Sequence, residues 1–115
     1  MLPREWRFRL LDIIEAAERV ETYVSGTSWE AFLTDDKLRD AVAYKLIVIG
    51  EATASLPEHV TASHPDVPWS EMRGMRNVLT HHYFDADAKV LWTTATEDLP
   101  PLLVQLRAIV DSDAE

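Results

Sequence analysis

The sequence predicts an all-α protein, an up-and-down bundle of four to five helices in a single domain spanning residues 1–115. Apolar residues recur three or four positions apart in each long segment, and no alternating strand pattern occurs. The 115-residue length allows a hydrophobic core without disulfide or metal staples. Turn-forming residues separate the periodic segments, as short loops of a bundle require.

The first helix is predicted over residues 5–24 from one apolar stripe. Its members step by three or four residues: Trp6, Leu10, Ile13, Ala17, Val20 and Val24. Ser25 and Gly26 end this helix, since glycine is favoured just past a helix C-terminus. A short helix or packed connector anchored by Trp29 and Phe32 follows.

A second long helix is predicted from residue 36 to about residue 56, with Asp35 or Asp36 as its N-cap. Its centre, residues 46–49, is apolar all round, which is typical of a bundle centre or a subunit interface. Gly50 lies within this helix, where glycine costs about 1 kcal/mol relative to alanine. We therefore expect the backbone of a neighbouring helix to approach closely at Gly50.

The second half of the chain is divided by prolines. The connector after the second helix is expected to hold one helical turn around residues 58–63. The next helix is predicted to begin with Ser70 as its N-cap. A later helix, capped by Asp85 or Asp87, must kink or restart at Pro100-Pro101, because neither proline can donate a backbone hydrogen bond. The final helix is expected to bury one apolar face: Leu102, Leu103, Leu106, Ile109 and Val110.

Composition excludes several classes of protein. The net charge of −9 argues against broad, charge-driven binding of nucleic acid, although a local positive cleft is still compatible with it. The absence of cysteine excludes disulfides and thiolate metal sites. The N-terminus lacks the apolar core of a signal peptide, and no apolar run approaches the roughly 20 residues that span a bilayer. We therefore expect a cytoplasmic protein without membrane association.

The side chains best suited to chemistry are concentrated in residues 70–87. On a helical wheel with Arg76 at zero, Thr80, Arg73, Asn77 and His81 fall within about 140°. The opposite arc is apolar and contains Met72, Met75, Val78, Leu79 and Tyr83. The polar arc is either a basic surface patch or an anion site. We favour the anion site, because arginine, asparagine and histidine contact phosphate oxygens and histidine moves protons.

The pattern Arg76-Asn77-x3-His81-x-Tyr83 resembles the R-N-x3-H-x-Y signature of the HepT-like ribonuclease toxins, a branch of the HEPN superfamily. His82 fills the variable position before Tyr83. The resemblance extends over nearly the whole chain. Its other matching segments are residues 11–16, Gly26 with Phe32, residues 49–52, Pro68-Trp69, Met72, Gly74-Met75, Trp92 and Leu99-Pro100.

The resemblance implies a small helical toxin that cuts RNA without a metal or other cofactor. It implies a homodimer in which the motif residues line a shared cleft, with Arg76 and His81 catalytic. It further implies a cognate antitoxin, a minimal nucleotidyltransferase that inactivates the toxin by adding AMP to Tyr83.

These residue types fit RNA cleavage by its own 2′-hydroxyl, which needs a base, an acid and positive charge. Histidine, with an ordinary pKa of about 6.5, suits proton transfer by His81 at neutral pH. Arg76 offers a planar cationic fork to a phosphate, Asn77 can orient His81 or contact the phosphate, and Arg73 can neutralise a neighbouring phosphate. Because one histidine cannot easily be both acid and base, a dimer would supply the second.

Simpler interpretations stay open for single residues. Asn77 and His81, four apart, can make only a surface hydrogen bond, and Tyr83 on the apolar arc is typical of a core residue. No metal site is predicted, since His81 and His82 point about 100° apart without a nearby carboxylate. The alternative function is a non-catalytic helical subunit that binds a nucleotidyltransferase and holds a nucleotide or phosphate.

Overall fold

The computed structural model describes residues 5–77 and 88–113, and within these ranges every regular element is helical. The α-helices are α1 Glu5–Val24, α2 Trp29–Leu33, α3 Asp36–Ala54, α4 Glu58–Ser63, α5 Trp69–Gly74, α6 Ala88–Thr93 and α7 Leu99–Asp113. Met75–Asn77 forms a 3₁₀ turn, and Thr94–Asp98 forms a π-helical segment. The predicted all-α bundle is confirmed. No helix in the described ranges is long and apolar enough to cross a membrane.

The core lies between the three longest described helices, with α1 packed against both α3 and α7. The predicted stripe of α1 is buried from Leu10 to Val24, while Trp6 at its start is half-buried. The predicted apolar face of the final helix is buried in full. The Nη1 group of Arg7 donates to the carbonyl of Val110 at 3.0 Å, joining the start of α1 to the end of α7.

Local signals set the C-terminal end of α1 and the start of α3, as predicted. Gly26 follows α1 with φ of 76°, a left-handed conformation that side chains disfavour. The Asp35 carboxylate accepts from the backbone N–H of Leu38 at 3.0 Å, so Asp35 rather than Asp36 is the N-cap of α3.

An aromatic cluster joins α2 to α6. The fully buried ring of Phe32 lies 5.1 Å from the ring of Trp92, and Trp29 lies 6.3 Å from Trp92, both measured between centroids. The ammonium of Lys89 lies 4.8 Å from the centre of the Trp29 ring. These contacts fix the position of α6, the first described element after the motif.

The connector between α3 and α5 contains the predicted helical turn, α4. The expectation that Ser70 caps the next helix is wrong, because α5 already begins at Trp69, with Pro68 in the N-cap position. Trp69 is buried, and its indole N–H donates to the carbonyl of His64 at 2.9 Å. This anchoring of Trp69 draws it into the first turn of the helix.

The helix register changes just before Pro100 and Pro101, as the predicted restart requires. The backbone N–H of Leu99 donates to the carbonyl of Thr94, five residues back rather than four. Ala95, inside this wider turn, is buried. The predicted helix caps Asp85 and Asp87 lie outside the described residues.

Candidate functional site

The structure describes three of the predicted site residues and places them on one short segment. Arg73 lies in α5, whereas Arg76 and Asn77 lie in the 3₁₀ turn that follows it directly, and all three are exposed. His81 and Tyr83, together with the neighbouring His82, lie outside the described residues. The structure therefore places the two arginines and the asparagine of the predicted set within five residues on one exposed segment.

Burial along this segment follows the predicted division into a polar and an apolar side. Met72 is fully buried and Met75 half-buried, while Arg73 and Arg76 face solvent. A continuous α-helix from Ser70 was expected, but the α-helix gives way to a 3₁₀ turn at Met75. A 3₁₀ turn is narrower than an α-helix, which suits the close packing of its backbone on α3.

The backbone of Arg76 lies directly against Gly50 of α3. A Cβ atom added to Gly50 would lie 2.9 Å from the Arg76 Cα and 2.8 Å from its Cβ, and it would also clash with the Arg76 backbone nitrogen. The close approach predicted from Gly50 is therefore confirmed. Because only glycine fits here, the contact fixes the backbone of Arg76 against the core while its guanidinium group extends into solvent.

The positive charges of Arg73 and Arg76 are not neutralised by the described parts of the protein. Neither guanidinium forms a hydrogen bond or ion pair with a residue in the ranges 5–77 and 88–113. By contrast, Arg107 pairs with Glu18 at 2.7 Å and Arg39 with Asp36 at 3.2 Å. Arg73 and Arg76 can therefore contact an external anion without breaking a contact to these residues.

A cavity of about 240 Å³ adjoins the 3₁₀ turn. Its described lining residues are Leu46, Glu71, Gly74, Met75, Asn77, Val90, Thr94 and Asp98. Sequence reasoning did not identify Glu71, Thr94 or Asp98 as site residues. The three-residue spacing of Glu71, Gly74 and Asn77 does indicate a shared helix face, but the π-helical register that adds Thr94 and Asp98 has no clear sequence signal.

A larger open groove of about 490 Å³ separates α1 from α3 and is lined by none of the predicted site residues. Val48, one of its lining residues, lies roughly 160° around α3 from Gly50. The groove therefore opens on the side of α3 away from Arg76. In the described part of the chain, no group of three or more histidine, aspartate or glutamate side chains is arranged to hold a metal ion.

Fold and site together define a small all-α domain with an exposed cationic segment packed on its central helix. The sequence profile of the ribonuclease HepT-like family matches residues 13–109, and the chain belongs to this family. The resemblance found in the motif is thereby confirmed, as is the predicted enzyme class, a ribonuclease.

The alignments with curated relatives cover most of this chain. A Thermococcus cleftensis protein named "probable ribonuclease HepT" is 42% identical over 88% of this chain and 92% of its own length. Proteins with provisional RNase names from Caldanaerobacter subterraneus and Methanocaldococcus jannaschii are 35% and 33% identical. These two alignments cover 88% and 95% of this chain, and 90% and 100% of the relatives. No solved structure is significantly similar to the chain.

Proposed function

We propose that this protein is a metal-independent endoribonuclease, the toxin of a cytoplasmic toxin–antitoxin pair, with Arg76 and His81 as its catalytic residues. The observation that carries the proposal is the contact between Gly50 and the Arg76 backbone. It holds a guanidinium that pairs with no residue in the ranges 5–77 and 88–113 at a fixed place on the surface. Membership of a ribonuclease family supplies the reaction class.

In the proposed reaction, the RNA 2′-oxygen attacks the adjacent phosphorus and the 5′-oxygen of the next nucleotide leaves. His81 takes the 2′-hydroxyl proton or delivers a proton to the leaving oxygen. Arg76 stabilises the negative charge that accumulates on the phosphorane, since its fork donates two hydrogen bonds to phosphate oxygens. Asn77 orients His81 or contacts the phosphate, and Arg73 binds a neighbouring phosphate.

The proposed enzyme is a homodimer with both motifs in one cleft, because acid and base roles need a second histidine. Ile47 and Val48 at the centre of α3 are only half-buried within the chain, but they line the groove on the side of α3 away from Arg76. An interface that joins two motifs therefore has to form elsewhere on the surface.

We further propose control by a cognate minimal nucleotidyltransferase, which transfers AMP from ATP to the Tyr83 hydroxyl and releases pyrophosphate. The attached phosphate would occupy the anion site formed by Arg73 and Arg76, so RNA could no longer bind there. The exposure of both arginines supports this competition.

Cleavage of a defined RNA by the purified protein tests the proposal. The 5′ fragments should end in a 2′,3′-cyclic phosphate or its hydrolysed form, and cleavage should continue in EDTA. Arg76→Lys is the informative variant, since it keeps the charge but loses the bidentate fork. Loss of cleavage in EDTA with recovery on adding magnesium would reject the metal-independent reaction. Absence of cleavage would favour the non-catalytic subunit that binds a nucleotidyltransferase.

A further inference from the structure

The polar residues that line the cavity beside the 3₁₀ turn come from two separate parts of the chain. Glu71, Gly74 and Asn77 reach it from α5 and the 3₁₀ turn, while Thr94 and Asp98 reach it from the π-helical segment. Its volume of about 240 Å³ is below the roughly 300–1,000 Å³ of clefts that hold drug-sized ligands. The cavity opens to solvent, so one ring system would occupy it while the rest of a nucleotide lies outside.

The polar groups of the cavity favour a ligand that donates hydrogen bonds. Glu71 and Asp98 are carboxylates that only accept, while Thr94 and Asn77 can both donate and accept. None of these four side chains forms a hydrogen bond with another described residue. Carboxylates repel phosphate but accept from the N–H groups of nucleobases. The cavity is therefore suited to a base, whereas Arg73 and Arg76 are suited to a phosphate.

Arginines and residues that line the cavity alternate along the same short segment. Exposed Arg73 precedes Gly74, and exposed Arg76 precedes Asn77, so the positive groups lie beside the cavity rather than inside it. A nucleotide presents the same pair of features, a phosphate linked to a base. Single-stranded RNA is commonly recognised through unstacked bases read along their hydrogen-bonding edges.

Asp98 has the shorter side chain and the more constrained backbone of the two carboxylates. It belongs to a π-helical segment whose register is held by the hydrogen bond from Leu99 to Thr94 and by buried Ala95. Glu71 has a longer side chain and belongs to a helix of six residues. Guanine offers two adjacent donors, N1–H and the N2 amino group, which match the two oxygens of one carboxylate.

Building on the proposed ribonuclease function, we infer that this cavity holds the base next to the cleaved phosphate and that Asp98 makes it selective for guanine. The cations bind the backbone of any RNA, and the cavity then decides where along the RNA the reactive phosphate is placed. Asp98 is thus a specificity residue and not part of the bond-breaking chemistry.

Binding of 2′-O-methyl RNA tests this inference without cleavage, because that RNA lacks the attacking hydroxyl. Two oligouridines, one with a central guanosine and one with a central inosine, differ only by the N2 amino group. Fluorescence anisotropy should show at least roughly tenfold tighter binding of the guanosine oligomer. Asp98→Asn should abolish this difference. The matched control Glu97→Gln changes the same charge on the neighbouring exposed residue, outside the cavity lining, and should retain it.

Equal affinity for the two oligomers, or a guanosine preference that survives in Asp98→Asn, would overturn the inference. Loss of the preference in Glu71→Gln but not in Asp98→Asn would overturn the assignment to Asp98. Cleavage of unmodified RNA reports separately on the proposed function. Cleavage without guanosine selectivity would support the ribonuclease function and reject the base pocket. Guanosine-selective binding without cleavage would support the base pocket and reject the ribonuclease function.

Discussion

Replacing Gly50 with alanine should displace the Arg76 backbone and reduce RNA cleavage more than it reduces stability. The new methyl group would lie 2.9 Å from the Arg76 Cα, whereas ordinary contact begins at 3.4 Å. The 3₁₀ turn must therefore move outward by at least the 0.5 Å between those two distances, and by more to relieve the closer clash with the Arg76 backbone nitrogen. Neither partner can rotate away, because the atoms involved belong to the Arg76 backbone and its Cβ.

Two opposing terms set the stability change in Gly50→Ala. Alanine gains about 1 kcal/mol over glycine within a helix, and overpacking a closely packed site costs about 1–3 kcal/mol. The net effect ranges from near zero to about 2 kcal/mol of destabilisation, or up to roughly 8 °C in Tm. A catalytic group misplaced by 1 Å costs about 100-fold in rate, so a shift of at least half that size should cost roughly tenfold or more in kcat/KM.

Gly26→Ala provides the matched control. It forces alanine into the left-handed conformation at a cost of about 1–2 kcal/mol, but its Cβ meets nothing within 4 Å. Thermal unfolding and RNA cleavage should be measured for both variants below their melting temperatures. We expect the two variants to lose similar amounts of stability, and only Gly50→Ala to lose cleavage activity. Equal cleavage rates in the two variants would refute the idea that Gly50 positions Arg76.

Three other predictions concern the residues after the 3₁₀ turn and the assembly. His81→Ala should abolish RNA cleavage and toxicity with little change in Tm, whereas His82→Ala should retain much of the activity; the reverse ranking would contradict the predicted helix phase. Co-expression with the cognate nucleotidyltransferase should add one or more AMP units to Tyr83, detected by mass spectrometry and absent in Tyr83→Phe. A neutralised complex with unmodified Tyr83 would instead indicate steric masking. Light scattering at micromolar concentration should give twice the monomer mass of 13.1 kDa, and a monomer throughout that range would exclude the shared cleft.

Helix positions and the Gly50 contact could be predicted because each leaves a local signal in the sequence. The stripe of α1 has a clear helical period, and a glycine inside a long helix has few explanations other than close approach. The start of α5 could not be predicted in this way. The buried indole of Trp69 and its bond to His64 outweighed the capping preference of Ser70, and both depend on tertiary contacts.

The candidate site was predictable only in part for the same reason. The motif identified Arg73, Arg76 and Asn77 because they are close in sequence. Asp98 shares a cavity with Asn77 only through the tertiary fold, which places both residues along its lining. Two prolines signalled a break in the helix but not the wider turn that precedes them.

We expect the π-helical segment to tolerate the loss of one residue without loss of the fold. A single wide turn accommodates one residue more than an α-helix, and the buried residues Leu91, Ala95 and Leu99 are spaced four apart across it. Deleting one residue between Thr94 and Asp98 would restore α-helical register and leave the flanking helices facing the core. Homologues that differ by such a one-residue gap would therefore share the bundle but differ in the part of the cavity lining that Thr94 and Asp98 form here. The base selectivity inferred for this cavity would then diverge in this family through single-residue insertions and deletions, independently of the motif.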